Sequence, residues 1–264
     1  MRVRHLNCGT MQFPGAPLVC HVLLVETANG LVLVDTGYGL LDIANPGHRL
    51  GPARAFVRPV LDPSEAAVNQ VARLGYSPQD VRHILLTHLD MDHAGGLADF
   101  PHAQVHVSAG ELASALAGRT LGEKLRYRTA QFAHGPRFIA HEPTGEPWLG
   151  FPAAQQLADI DPRIVMIPLP GHTRGHVAYA VQTDGRWLFH AGDSFYDRSV
   201  VDGRGRQPLT LTLQERMIAF DSRRVRDNHR RLAELAHHPD VDVFSAHDPT
   251  LFHRLARKAL LCPN

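Results

Sequence analysis

Apolar runs separated by stretches rich in glycine, proline and charge set the rhythm of this chain. LVCHVLLVE (residues 18–26) and GLVLVDTG (residues 30–37) are apolar and β-branched, with an Asn-Gly step between them. Two such runs joined by Asn-Gly predict a β-hairpin. LDPSEAAVNQVARLGY then predicts a helix. Asp62 caps it, Pro63 suits its first turn, Glu65 completes a capping box and Gly75 ends it. VRHILLTH (residues 81–88) predicts a short buried strand. AQVHVSAGELASAL repeats the order of strand followed by helix.

Residues 118–162 mix Arg, Gly, Pro and aromatics without a period, which reads as a lid or insertion within one domain spanning 1–264. Strand patterns return in RIVMIPL, HVAYAVQ and RWLFHAGD, with a TDG turn between the last two. Residues 221–237 carry Val225, Leu232 and Leu235 at helical spacing on a basic helix. VDVFSAHD predicts the last strand, and a short helix follows. The two halves share an order of elements without sequence repetition. Packed face to face, they give an α/β (α+β) fold, a four-layer αββα sandwich.

Composition narrows the function. The 264 residues carry a formal net charge of only +1, which argues against nucleic acid or an anionic membrane as partner. Cys8, Cys20 and Cys262 match no zinc module or disulfide framework, which favours a reducing compartment. MRVRHLNCGT lacks the apolar core of a signal peptide, so a cytoplasmic protein is expected. Histidine is the outlier, at 18 residues.

The candidate chemistry lies just past the strands. THLDMDHAGG supplies His88, Asp90, Asp92 and His93, LPGHTRGH supplies His172, FHAGDSFY supplies Asp193 and FSAHDPT supplies His247. Each follows an apolar run and sits among small residues that permit tight turns. In open α/β sheets ligands bind at such strand ends. Taken singly, HLDMDH is equally a polar loop with a helix cap, and His172 or His247 is more simply a turn histidine than a ligand. Four such motifs in order point to metal. Imidazoles and carboxylates are the donors that divalent ions take. Seven donors suffice for three on each of two ions with one bridging, and two ions acidify water. His176 and His190 are expected to pack or to support the ligands.

With these motifs in hand, the chain resembles the metallo-β-lactamase-fold hydrolase superfamily over nearly its whole length. VLVDTG with Asp35, HLDMDH, and the His172, Asp193 and His247 motifs match the family's five in order. The resemblance implies the αββα sandwich and a dinuclear site. It implies His88, Asp90 and His172 on one ion, Asp92, His93 and His247 on the other, Asp193 bridging and Asp35 supporting from behind. PGHTRGH and GDSFY are most similar to the N-acyl homoserine lactonases, in which a tyrosine three residues after the bridging Asp touches the substrate carbonyl; here it is Tyr196. Lactone hydrolysis is therefore the first expectation, with Asp92 passing a proton to the leaving alkoxide. Glyoxalase II-like thioesterases and phosphotriesterases are the alternatives.

Asp90 departs from the lactonase pattern, which has histidine there. The added charge shifts the expected metal from zinc alone toward iron or manganese as well. The flavodiiron oxidoreductases have Glu at this position, but they carry a flavodoxin domain after the metal domain, for which this sequence leaves no room. A non-catalytic binder would more readily show a broken ligand set. The expected partner is a small-molecule substrate, and a homodimer is compatible. Trp148, Phe151, Phe132 and Tyr127 are expected to line an apolar pocket. Arg119, Lys124, Arg126 and Arg128 read as a solvated basic face.

Overall fold

The alternation of β2 (Leu18–Thr27) explains the whole architecture. Leu23 and Val25 point into one core, while Val22 and Leu24 point into another. In β3 (Gly30–Val34), Val32 and Val34 join the first core and Leu31 and Leu33 the second. Side chains alternate across a strand, so an all-apolar strand must be covered on both faces.

The computed structural model describes residues 1–118 and 120–261. The expectations on Arg119 and Cys262 lie outside these residues. The first sheet has six strands in the order β1 (Val3–Met11), β2, β3, β4 (Val81–Leu85), β5 (Gln104–Ser108) and β6 (Arg137–His141). Its first three strands pair antiparallel and the rest parallel. The second sheet runs β11 (Val241–Phe244), β10 (Arg186–His190), β9 (Val177–Thr183), β8 (Ile164–Pro168) and β7 (Gln155–Gln156).

Ile164, Met166, Ala178 and Ala180 join Leu23, Val25, Val32 and Val34 in the core shared by the two sheets. Val71 of the helix Ala67–Arg73 and Ala115 of the helix Ala109–Ala117 pack with Leu24, Leu33 and Ile84 on the outer face of the first sheet. Leu232 and Leu235 of the helix Ser222–Leu235 cluster with Val241 and Val243 of the second. The layers are therefore helix, sheet, sheet, helix. No described helix is long and apolar enough to cross a membrane.

Three local expectations need correction. Asp62 caps only the 3-10 turn Pro63–Glu65, accepting from the Ser64 amide, while the helix itself begins at Ala67 behind an uncapped Ala66, and Glu65 closes no capping box. Its carboxylate reaches β1 instead, accepting from the Thr10 backbone at 2.8 Å, which outcompetes the helix's own amide. Trp148 and Phe151 are not pocket walls: their rings stack on Phe189 in the shared core. Phe132 packs edge-on against Phe138, and the Tyr127 hydroxyl is bound to buried Glu111. Large aromatic faces gain most from being covered, and the two sheets offer more cover than a solvent-filled cleft. Residues 118–162 also supply an edge strand to each sheet, β6 and β7.

Candidate metal centre

All four motifs open from strand ends on one rim of the sandwich. β3 ends at Val34, and Asp35 follows with a positive φ of 60°. A non-glycine residue held there is strained and persists where surrounding bonds fix it. Here the carboxylate takes the Thr87 amide at 2.8 Å, the Thr87 hydroxyl at 2.9 Å and His93 Nδ1 at 2.8 Å. His88 Nδ1 in turn donates to the Thr87 hydroxyl at 2.9 Å. One buried aspartate thus fixes the ring orientation of two histidines, leaving each Nε2 free to face inward.

His247 is oriented in the same way, through Nδ1 donating to the carbonyl of Val19 at 2.7 Å. His176 holds the neighbouring loop: its Nδ1 donates to Leu169 O and its Nε2 accepts from the Asp193 amide at 3.1 Å. His190 accepts from the Gly192 amide and donates to His21 O. Gly192 turns with φ 53°, and a Cβ there would lie 2.5 Å from His176 Nε2. Only glycine lets the chain present Asp193 this close to its support.

The seven candidate ligands converge. Asp193 lies at the centre, with Oδ1 3.1 Å from His93 Nε2 and 3.0 Å from His247 Nε2. Its Oδ2 is 3.4 Å from His172 Nε2 and 3.9 Å from His88 Nε2. Asp92 lies 3.5 Å from His247 Nε2 and 3.9 Å from His93 Nε2. Asp90 lies 3.3 Å from His88 Nε2 and 3.1 Å from His172 Nε2. Asp90 is the residue that caps the short helix Met91–Ala94, yet its side chain makes no capping bond and turns into the cluster. Tyr196 donates to Asp193 Oδ2 at 3.0 Å, and its ring stacks parallel to His247.

Electrostatics match this packing. Burial opposes charge on Asp193, but His247, His93, His172 and His88 together hold its carboxyl well below the usual range. Burial likewise opposes charge on His93, yet Asp193, Asp35 and Asp92 push it well above the ordinary imidazole value. Burial and then Asp193 raise the Tyr196 phenol, which stays a proton donor. His88 Nε2, His93 Nε2 and Asp193 Oδ1 are buried without a hydrogen-bond partner. Buried polar atoms are rarely left so unless something else satisfies them. Imidazole nitrogens and a carboxylate oxygen, aimed together, fit a divalent metal ion.

Three contributors escape a reading of motifs. Arg126, at the end of the helix Leu121–Arg126, is no part of a solvated face: its Nε lies 2.7 Å from Asp90 Oδ1 and its Nη2 2.9 Å from Asp90 Oδ2. Lys124 is exposed and Arg128 half-buried, donating to His48 O. Glu111 is fully buried and accepts from the Leu89 amide, the Tyr127 hydroxyl, the Thr173 hydroxyl and the Gly175 amide, tying two ligand loops together. The buried thiol of Cys20 stands within ligand range of Asp92 and His247. Burial raises that thiol well above its ordinary value, so it is a neutral neighbour. The Ser108-x-x-Glu111 spacing at a helix start is a signal that could have drawn attention to Glu111; no local pattern points to Arg126 or Cys20.

A two-sheet sandwich with imidazoles and carboxylates gathered on one rim is the architecture of a metal-dependent hydrolase. The chain belongs to the metallo-beta-lactamase superfamily, whose family model matches residues 15–237. Among curated proteins, it is 50% identical over 259 residues to a probable metallo-hydrolase of Mycobacterium tuberculosis, covering 97% of this chain and 83% of that one. An N-acyl homoserine lactonase of a Bacillus species is 28% identical over 169 residues, covering 64% of this chain and 59% of that one. Among solved structures, an N-acyl homoserine lactone hydrolase with the product N-hexanoyl-L-homoserine at its catalytic metal centre aligns with a TM-score of 0.71. It is 21% identical, with 96% of this chain and 97% of that one covered, so the likeness is one of fold.

Proposed function

We propose that this protein hydrolyses an ester-like bond, with lactones as the first substrate class, using metal held by His88, Asp90, Asp92, His93, His172, Asp193 and His247. The observation that carries the reading is the convergence of these side chains around buried imidazole and carboxylate atoms that crowd to about 3 Å of one another yet include three without a hydrogen bond. The donor set has room for two divalent ions, His88, Asp90 and His172 facing one and Asp92, His93 and His247 the other, with Asp193 between. Zinc accepts this mixed set, and its three carboxylates also suit iron or manganese. When bound, such ions polarise a carbonyl oxygen and lower the pKa of water toward neutrality.

The chain's own residues supply the rest. Asp92, half-buried at the rim of the cluster, accepts a proton and returns it to the leaving oxygen. Tyr196, its phenol kept protonated, donates toward the carbonyl oxygen as negative charge develops there. Asp35 and Thr87 keep His88 and His93 in the tautomers that present Nε2. The buried, unbridged thiols of Cys8 and Cys20 support a reducing compartment such as the cytoplasm. The segment 118–162, which brings Arg126 against Asp90, is read as one wall of the site within a single domain. The similarity to N-acyl homoserine lactonases, together with Tyr196 three residues after Asp193, favours lactones over thioesters and phosphotriesters. A panel of lactones, thioesters and phosphotriesters, run on metal-reconstituted protein with elemental analysis, tests this. Lactone turnover lost on chelation is expected; a metal-loaded chain inert on all three classes would overturn the reading.

A further inference from the structure

Asp90 does not face the cluster alone. Arg126 grips it from two sides, with Nε at 2.7 Å from Oδ1 and Nη2 at 2.9 Å from Oδ2. The same Nη2 lies 2.6 Å from His172 Nε2, the nitrogen that an ion would otherwise take. Nη1 is spent on two backbone carbonyls, 3.0 Å from His172 O and 2.7 Å from Ile218 O. The guanidinium is therefore pinned by the ligand loop and by the end of the helix Leu209–Ile218 as well as by Asp90. Its planar fork matches a carboxylate in a way that an ammonium does not.

The other half of the cluster is different. Asp92, His93, His247 and Asp193 Oδ1 have no Lys or Arg within salt-bridge distance among the described residues. His93 Nε2 and Asp193 Oδ1 face each other at 3.1 Å without a hydrogen bond, and His88 Nε2 on the Asp90 side also lacks one, so what separates the two halves is the arginine.

We infer that Arg126 is the resident cation of the Asp90 half, so that the two halves bind metal unequally. An ion enters the half formed by Asp92, His93, Asp193 and His247 directly, and the Asp90 half only by displacing a guanidinium. The charge count agrees. Relative to a histidine at this position, Asp90 adds one negative charge and Arg126 returns one positive. A second ion beside an undisplaced Arg126 would meet a like charge in a poorly hydrated site. This rests on the metal-site reading above.

The test is stepwise titration of the metal-free, full-length chain with zinc ions, read by calorimetry and by elemental analysis after desalting. The wild type is expected to keep about one ion, with the second step weaker by roughly a hundredfold, in line with the effect of groups that orient or block ligands. Arg126→Met frees Asp90 and His172 Nε2 and should strengthen the second step at least about tenfold, so that about two ions survive desalting. Circular dichroism reports whether the variant folds; if it does not, the wild-type titration decides. Two ions bound in equal steps by the wild type, or a second step unchanged in folded Arg126→Met, would overturn the inference while leaving the metal site standing. A wild type that binds no ion overturns the metal-site reading itself, and the inference with it.

Discussion

Asp35 Oδ2 lies 2.8 Å from His93 Nδ1, and both residues are buried. Because the same carboxylate also takes the Thr87 hydroxyl, which receives His88 Nδ1, two candidate ligands share one anchor. Asp35→Asn keeps the volume but loses the charge that fixes both rings. Metal affinity should fall by roughly ten- to a hundredfold with the fold intact. Competition with a chromophoric chelator measures it; unchanged affinity would mean that the rings are held by packing alone.

Tyr196 donates to Asp193 Oδ2, and its ring centroid is 5.5 Å from that of His247. Tyr196→Phe preserves the stacked ring and removes only the hydroxyl. Turnover of the best substrate should drop about ten- to a thousandfold while metal content stays constant, because losing one oxyanion donor costs up to ~4 kcal/mol. Equal kinetics in the two proteins would reduce the tyrosine to a packing role.

Glu111 makes the opposite kind of prediction, about stability. Its two oxygens accept from Leu89, Tyr127, Thr173 and Gly175, all in the interior or at its edge. Glu111→Ala would orphan these donors, and each buried unsatisfied donor costs about 1–3 kcal/mol. A loss of about 3–5 kcal/mol in unfolding free energy is expected, read as a lower urea midpoint. A loss below about 1 kcal/mol would mean that the two ligand loops relax without it.

Acid should destabilise the protein through its buried histidines. Burial, and then the neighbouring His190, lowers His5 to about 4. Burial, with His83 and His141 alongside, lowers His106 to about 3. The unfolded chain protonates these rings near 6.5, so between that pH and about 4 unfolding takes up protons and stability falls as pH falls. Asp99 works the other way: burial raises it to about 6, so its contribution is full at low pH and fades as pH rises through 6. Burial raises Asp42 and Asp248 in the same sense, but it also lowers His21, His83, His141 and His190, so the imidazoles outnumber the carboxyls and the net slope remains positive, up to roughly 1.4 kcal/mol per pH unit for each net proton. Urea midpoints from pH 7 to 4 measure the slope, and His106→Gln should flatten it. A slope unaltered by that change would place the acid sensitivity elsewhere.

Much of this site could be read from strand ends. His88, His172, Asp193 and His247 each follow an apolar run, and the hydrophobic pattern together with sheet topology determines where such a run ends. The Asp35 motif is legible for the same reason. What could not be read are pairings between segments whose relative path depends on tertiary packing. Arg126 meets Asp90 across 36 residues, from a stretch without periodicity. Glu65 left its helix for Thr10 across 55 residues, and Trp148 joined the core instead of a pocket. Counting charges along the sequence assigned Asp90 an uncompensated negative charge; the chain compensates it with an arginine that no local rule would select.

That pairing decides what restoring a histidine would do. In isolation, Asp90→His exchanges a charged oxygen ligand for a neutral nitrogen and should turn the site toward zinc. Beside Arg126 it does something else first. The guanidinium loses its carboxylate while Nη1 still holds it to His172 O and Ile218 O, so a cation is left largely buried next to imidazoles. Breaking one side of such a pair is expensive, here about 2–4 kcal/mol. Asp90→His alone should therefore lower the melting temperature and weaken zinc binding. Asp90→His combined with Arg126→Met should recover both, since the imidazole then faces an opened half-site. The two single variants and the double variant form a cycle whose coupling energy reports the pair directly. A coupling of at least about 1 kcal/mol in both stability and zinc affinity is expected. Additive effects would mean that Asp90 and Arg126 act independently, and the arginine would lose its claim on the metal site.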